Sequence, residues 1–267
     1  MKKYFIIFKN SVQTNLAYRF NTFTSFLTEG VFLIVLLYLW TSIYRQGGHI
    51  GAYSLAGLVM YFVLSRFVAL ITMYDDTAKK MNEEISEGGA INYFLKPLNY
   101  LHKEYAYKLG TVAYRIVLYS LILFLILLVL HRLSLSGIIS SLPELIFFFA
   151  VLMIGITINF LIFFIVGLLS FHFDRIQGLN FTIITFASLF SGNMVPLDLF
   201  PKYLFWLGNF LPFKFVVFIP ISIATRKISL LESPALIVTG LAWVAGLYFF
   251  ARGMQYFSFK KYEAYGG

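Results

Sequence analysis

Long apolar runs alternate with short polar segments along the whole chain. Six of these runs approach the roughly 20 residues that a helix needs to cross the hydrocarbon core of a bilayer. The pattern therefore predicts an all-α integral membrane protein with six transmembrane helices, built as a single transmembrane domain over residues 1–267. The six predicted spans are residues 20–40, 52–74, 109–130, 142–171, 176–195 and 234–254.

A seventh apolar run, Tyr203–Ala224, differs from the others because it contains Pro212 and Pro220. A proline inside a helix removes a backbone hydrogen bond that lipid cannot replace. We therefore predict broken helices here, either re-entrant or interfacial, rather than another span.

The segment 191–223 as a whole is predicted to form an extracellular re-entrant element before the sixth span. Broken backbone at membrane depth must be covered by protein or must face a water-filled cavity. The element is therefore a candidate gate at the extracellular mouth, although a purely structural hairpin would show the same pattern. The candidate gate residues are Gly192, Met194, Pro196 and Pro201.

The distribution of charge along the chain predicts how the protein is oriented in the membrane. There are 21 Lys and Arg against 12 Asp and Glu, a net charge of +9, which in a water-soluble protein would suggest nucleic-acid binding. Here 13 of the cations fall in segments that would be cytoplasmic and 6 in segments that would be outside. Because cytoplasmic flanks of membrane helices collect Lys and Arg, we predict both termini inside and no nucleic-acid partner.

Two segments outside the spans have helical patterns of their own. In residues 1–19, Phe5, Phe8, Val12 and Leu16 recur at helical spacing, which predicts an amphipathic helix at the cytoplasmic membrane surface. This helix is either an interfacial anchor or a lever that couples cytoplasmic events to the first span.

The second segment is the cytoplasmic loop 75–104, which is longer than a simple connection requires. It predicts a charged helix over 78–86, a glycine break and a short apolar element that ends at a proline. Such a structured loop favours a docking surface for another protein, with a solvated charged helix as the alternative. The candidate coupling residues are Lys80, Glu83, Glu84, Gly88 and Pro97.

Charged residues inside the predicted spans are few. Glu29 lies about nine residues from the inner end of the first span, and Arg66 about eight residues from the inner end of the second. A rise of 1.5 Å per residue places both at a similar depth, so we predict an intramembrane ion pair. Its role is either to neutralise two buried charges or to line a substrate path.

Sequence motifs for chemistry on this chain are missing. It contains no phosphate-binding G-x-x-x-x-G-K-[ST] loop, no H-E-x-x-H zinc motif, no G-x-S-x-G nucleophile elbow and no cysteine. We therefore predict a protein that is not an enzyme, with no catalytic, cofactor-binding or metal site. A secondary transporter driven by an ion gradient and a non-transporting assembly factor are functions compatible with this prediction, and a membrane-embedded lipid-processing enzyme is the alternative to it.

Two sequence stretches and the predicted topology together resemble a known family. The stretch Ile85–Leu98, ISEGGAINYFLKPL, combines a glycine with a leucine–basic–proline ending, and Ser191–Pro201, SGNMVPLDLFP, has an apolar–proline–leucine core closed by phenylalanine–proline. In these features the chain resembles the permease subunits of ABC-2 type ABC transporters, in the branch of short six-span permeases.

The resemblance implies a set of partners and a mechanism. Two permeases, identical or sister chains, would form the pathway in a bacterial cytoplasmic membrane. An ABC ATPase on a separate chain would bind ATP and Mg²⁺, and the loop around residues 78–88 would transmit its motion to the spans. The cargo of such exporters is amphipathic, a peptide, a drug or lipid-like.

Overall fold

The computed structural model describes residues 2–46, 53–73, 76–87, 98–132, 142–173, 175–229 and 231–266. Every regular element in these ranges is helical. The ten α-helices are α1 (Lys2–Ala17), α2 (Arg19–Arg45), α3 (Leu55–Thr72), α4 (Thr77–Ser86), α5 (Tyr100–Arg132), α6 (Leu142–Leu168), α7 (Gln177–Phe190), α8 (Lys202–Phe210), α9 (Phe218–Ala224) and α10 (Ser233–Gly266). Short 3₁₀ turns lie at Leu169–Phe171, Leu197–Leu199 and Pro212–Phe215.

Four helices in the described part of the chain are long and apolar enough to cross a membrane: α2, α3, α6 and α10. A fifth crossing is counted if α8 and the 212–224 segment, which meet at an angle of 77°, form one span. The predicted third span, 109–130, lies within the 33-residue helix α5. The structure therefore confirms an all-helical membrane protein, and the count of six spans stays a prediction.

The helix found in the predicted fifth span, 176–195, is shorter than the span. This helix, α7, has 14 residues and stops at Phe190. At 1.5 Å per residue it is about 21 Å long, which is shorter than the roughly 30 Å hydrocarbon core. Ser191, Gly192 and Asn193 follow it, and Gly192 adopts a positive φ of 82° that turns the chain away from the helix axis.

The core of the molecule is built around α3 and α6. In their apolar stretches 72% and 67% of the residues are buried, against 0% in α2 and 11% in α10. The outer helices therefore present apolar side chains such as Val31, Ile34 and Phe249 to their surroundings. In a membrane this arrangement costs little, because lipid tails solvate apolar side chains as well as a protein interior does.

Two glycines let other elements approach the backbone of α6. A methyl group at Gly155 would overlap the main chain of Phe215, and one at Gly167 would overlap the side chain of Met81. Only glycine permits contacts this close. As a result α6 contacts the 3₁₀ turn before α9 at one level and helix α4 at another, twelve residues or about 18 Å further along.

The segment between α7 and α10 contacts α6 at two levels. Arg226, just after α9, pairs with Glu144 at the start of α6, with 3.1 Å between guanidinium Nε and carboxylate. Phe215, just before α9, contacts Gly155, eleven residues or about 16 Å deeper along α6. We refer to residues 191–223 as the broken-helix element, whose bent helices are either one broken span or a re-entrant hairpin.

The N-terminal helix α1 packs along α5 through its polar side. The Ser11 hydroxyl donates to the carbonyl oxygen of Tyr107 at 2.7 Å, and the Asn15 amide donates to the Thr111 hydroxyl at 3.1 Å. Phe5 and Leu16 on the apolar side remain exposed. This division of faces suits an interfacial helix that places its apolar side chains in lipid and is held to the bundle by hydrogen bonds.

Candidate functional site

Arg66 lies in the middle of α3 and is almost completely buried. Its Nη1 donates to the Glu29 carboxylate of α2 at 3.1 Å, and the two side chains are 6% and 11% exposed. The Phe32 ring lies 4.8 Å from the guanidinium carbon. The structure thus brings together the two charges that the sequence predicts at one depth, and each satisfies the other in a region where an isolated charge would cost several kcal/mol.

The second branch of the Arg66 guanidinium contacts the turn that follows α7. Its Nη2 donates both to the backbone carbonyl and to the side-chain carbonyl of Asn193, which is itself buried. Sequence reasoning missed this contact, because only the fold places the turn beside α3. We call Glu29, Arg66 and Asn193 the Arg66 cluster; it joins α2, α3 and the start of the broken-helix element.

The four candidate gate residues occupy different places in this element. The Gly192 carbonyl accepts a hydrogen bond from the Tyr61 hydroxyl of α3 at 2.7 Å. Met194 lines a groove of about 320 Å³ together with residues of the Arg66 cluster. Pro196 and Pro201 lie further along, where their extended backbone precedes the 3₁₀ turn at 197–199 and helix α8 respectively. Gly192 and Met194 therefore lie next to the Arg66 cluster, while the two prolines shape the chain that leads away from it.

A second polar cluster holds the broken-helix element at the Glu144 end of the bundle. Asp198 accepts hydrogen bonds from the Tyr53 hydroxyl, at 3.0 Å, and from the Lys227 ammonium, which lies 3.7 Å from the centre of the Tyr53 ring. Burial lowers the pKa of Lys227 below its usual value. Sequence reasoning missed this Asp198 cluster, whose members Tyr53, Asp198 and Lys227 come from three separate loops.

The candidate coupling residues that the structure describes lie on one face of α4. Lys80, Glu83 and Glu84 are exposed, and the Lys80 ammonium lies 4.2 Å from the centre of the Tyr107 ring. The other two candidates, Gly88 and Pro97, lie outside the described residues.

The opposite face of α4 is buried against α6 and the 3₁₀ turn that follows it. Met81 contacts Gly167, and the Ser170 hydroxyl donates to the Asn82 side-chain oxygen at 3.1 Å. Met81 is fully buried and Ile85 partly so, and these two residues, four apart on the helix, give α4 its apolar face. The helix is anchored to the bundle on one side and carries charges on the other.

Comparison with protein families gives a match to the family described as ABC-2 family transporter protein, over residues 31–266. A search of curated proteins returned no significant match. The family match covers α3 to α9, most of α2 and nearly all of α10, and it therefore includes Arg66, Asn193, the broken-helix element and α4. The chain belongs to the ABC-2 transporter family and is an ABC-2 type permease, a membrane component of a transporter.

Proposed function

We propose that this permease is half of the membrane pathway of an ATP-driven exporter, and that a separate ABC ATPase drives it. Family membership supports the transport role. The observation that supports an ATPase partner is that α4 has one buried face and one exposed, charged face. A helix that is anchored on one face and charged on the other is suited to receive a second protein.

The charged face of α4 is available in this chain. Lys79, Lys80, Glu83 and Glu84 are all exposed, and the ion pair between Lys79 and Glu83, at 3.9 Å, is itself on the surface. Exposed pairs of this kind contribute well under 1 kcal/mol to stability. Changing these residues should therefore leave the fold intact and alter only what docks on them.

Motion of α4 would reach the broken-helix element through α6. Met81 of α4 packs on Gly167, and the 3₁₀ turn containing Phe215 packs on Gly155 of the same helix. A shift of α4 therefore acts on a helix that also supports the re-entrant hairpin. In the proposed orientation α4 and both termini are cytoplasmic and the hairpin opens to the outside of a bacterial plasma membrane.

The groove beside the Arg66 cluster suggests why two permeases are needed. It runs between α2, α3 and α7, and its lining mixes apolar side chains with polar ones: Thr28, Glu29, Arg66, Asp76, Ser188 and Asn193. One chain supplies a single wall of such a pathway. A second permease, either the same chain or a sister chain, would face this wall and enclose an amphipathic, peptide, drug or lipid-like substrate.

The test is co-expression with an ABC ATPase encoded beside this chain, followed by purification through a tag on the permease. The double substitution Glu83→Arg with Glu84→Arg should reduce the bound ATPase at least tenfold, because it reverses two charges on the docking face. Glu232→Arg is the matched control, since it changes an exposed acid in the loop before α10.

Transport in proteoliposomes provides the second measurement. ATP-dependent movement of a fluorescent amphiphile should need both chains. In the α4 variant, which binds less ATPase, the transport rate should be lower by a similar factor. The proposal is wrong if the α4 variant keeps its ATPase and its transport rate. It is equally wrong if the permease alone transports the probe without ATP.

A further inference from the structure

A polar cavity of about 290 Å³ lies where α1, α2, α3, α4 and α5 meet. It is separate from the Arg66 cluster, and it shares only Lys80 with the charged face of α4. Three cations and two carboxylates line it, and these charged residues are Lys80, Lys108, Arg115, Asp76 and Glu104.

The balance of charge in this cavity is positive. Glu104 is also in contact with a cation outside the cavity, Lys103, at 2.8 Å between carboxylate and ammonium. Lys108 is only 4% exposed, which means that its ammonium is held inside the protein. Such a buried site strengthens the attraction for an anion relative to a surface lysine.

Two hydroxyl groups in the cavity add neutral hydrogen-bond donors to the cations. They belong to Thr22 of α2 and Tyr107 of α5. Cations combined with hydroxyl donors are the groups that bind phosphate oxygens, which accept several hydrogen bonds at once. The ligand that suits this chemistry is a phosphate ester.

An apolar groove continues from the polar cavity, and the two share Leu70 and Tyr119 as lining residues. The groove lies between α2, α3 and α5 and ends at Glu29 and Arg66. Its other lining residues are mainly apolar: Phe26, Leu33, Val63, Phe67, Ile122 and Leu123. The groove is small, with a volume of about 80 Å³. Together with the polar cavity it therefore offers a place for a headgroup and for the first part of one acyl chain.

The position of the cavity fits the membrane surface. Helix α1, whose Phe5 and Leu16 are exposed, forms one wall, and the exposed Phe20 and Phe23 begin α2 beside it. Aromatic and apolar side chains at this level contact the acyl chains just below the headgroups. In the proposed orientation this is the cytoplasmic leaflet, which carries the anionic lipids.

We propose that the polar cavity and the apolar groove together bind one anionic phospholipid from the cytoplasmic leaflet. Its phosphate lies between Lys108 and Arg115, and one acyl chain follows the groove towards Arg66. The proposal rests on the proposed function only for the orientation of the chain in the membrane, and it requires neither the ATPase nor transport.

The experiment measures lipid binding to the purified permease without any ATPase, by native mass spectrometry. Phosphatidylglycerol, phosphatidylcholine and soluble glycerol phosphate are each titrated. We expect phosphatidylglycerol to bind at least tenfold more tightly than either of the others, because only it combines a net negative charge with acyl chains. The double substitution Lys108→Gln with Arg115→Gln should weaken its binding about tenfold or more, since it removes two charge-assisted hydrogen bonds to the phosphate.

Lys9→Gln is the matched control, because Lys9 is an exposed cation on α1 that does not line the cavity. A groove variant, Leu123→Trp, should block the acyl chain and weaken phosphatidylglycerol binding in a chain that keeps all its cations. This second variant preserves the test if the charge variant does not fold.

Three results would overturn the proposal. Equal binding of phosphatidylcholine would show that the cations do not select the lipid, and equal binding of glycerol phosphate would show a site for a free phosphate ester. Unchanged phosphatidylglycerol binding in both folded variants would place the lipid elsewhere. None of these results bears on the binding of the ATPase to α4, so the two proposals fail separately.

Discussion

Helix α4 and the broken-helix element are attached to the bundle in opposite ways. One face of α4 packs on α6 and the turn after it through Met81 and Asn82, and the other face is charged and exposed. The broken-helix element is held by polar groups at two levels: the Arg66 cluster at depth and the Asp198 cluster at the Glu144 end. The first region presents a charged face to the proposed partner, and the second can move only if its own hydrogen bonds break.

Because the two regions are attached differently, moving the broken-helix element should cost more free energy than moving α4. Shifting α4 moves a packed helix whose exposed charges stay in water, whereas opening the broken-helix element separates buried hydrogen-bonded groups. Breaking a buried hydrogen bond without replacing it costs far more than breaking an exposed ion pair. Under the proposed function, ATP binding to the partner ATPase would have to supply this larger cost through α4.

Of the changes that test this comparison, replacing Arg66 should cause the largest loss of stability. Arg66→Gln removes the hydrogen bonds to Asn193 and leaves the Glu29 carboxylate buried without its cation. Breaking a buried pair in this way typically costs about 3–5 kcal/mol. We expect the melting temperature of the detergent-purified protein to fall well below that of Arg45→Gln, which replaces an exposed arginine at the end of α2.

A double-mutant cycle distinguishes a pair from two independent losses. Glu29→Gln combined with Arg66→Gln should destabilise the protein by clearly less than the sum of the single changes, because the second change removes a charge that the first left unpaired. Strictly additive losses would reject the coupling of the two side chains.

Sequence reasoning located these charges for a definite physical reason. Charges are rare in membrane spans, and the fixed rise of a helix converts residue number into depth, so Glu29 and Arg66 could be placed together from the sequence alone. The third partner, Asn193, could not. Ser191, Gly192 and Asn193 indicate that the helix ends or bends there, but the sequence does not say which helix the resulting turn will face.

The same limit applies to α4 and to the loops. The apolar spacing of Met81 and Ile85 predicts a buried face, but it says nothing about which helix covers it. Gly167 lies far away in the sequence within an apolar run, and only the structure shows that Met81 packs against it. The Asp198 cluster is missed entirely, since no periodicity links residues drawn from three loops.

Replacing Gly167 by a larger residue should cause an intermediate loss of stability. It should displace α4 and leave the broken-helix element in place. Gly167→Leu places a side chain where Met81 lies, and overpacking of this kind typically costs about 1–3 kcal/mol. We expect α4 to be displaced, which would increase tryptic cleavage at Lys79 and Lys80 and reduce ATPase binding.

Gly178→Leu is the matched control, because a methyl group there would meet no neighbouring atoms within 4 Å. Adding Met81→Ala to Gly167→Leu should restore much of the protection from trypsin by making room. If cleavage of the Gly167→Leu protein matches that of the control, the packing on α6 does not hold α4 in place.

Weakening the Asp198 cluster should have the smallest effect on stability. Asp198→Asn keeps a hydrogen-bond acceptor for Tyr53 but removes the charge that pairs with Lys227. The Asp198 and Lys227 side chains are 24% and 35% exposed, so the pair should contribute about 1 kcal/mol or less. The consequence is a broken-helix element that opens somewhat more often, not a protein that unfolds.

Opening can be measured by thiol labelling, because the chain has no cysteine of its own. Leu197→Cys places a single thiol at a position of the broken-helix element that is 1% exposed, and a membrane-impermeant maleimide applied from outside reports access to it when the element opens. A loss of about 1 kcal/mol corresponds to roughly fivefold faster labelling when Asp198→Asn is added. Lys79→Gln, which removes an exposed ion pair on α4, should leave the rate unchanged. Equal rates with and without Asp198→Asn would show that the Asp198 cluster does not keep the broken-helix element closed, and the contrast between the two regions would then rest on the Arg66 cluster alone.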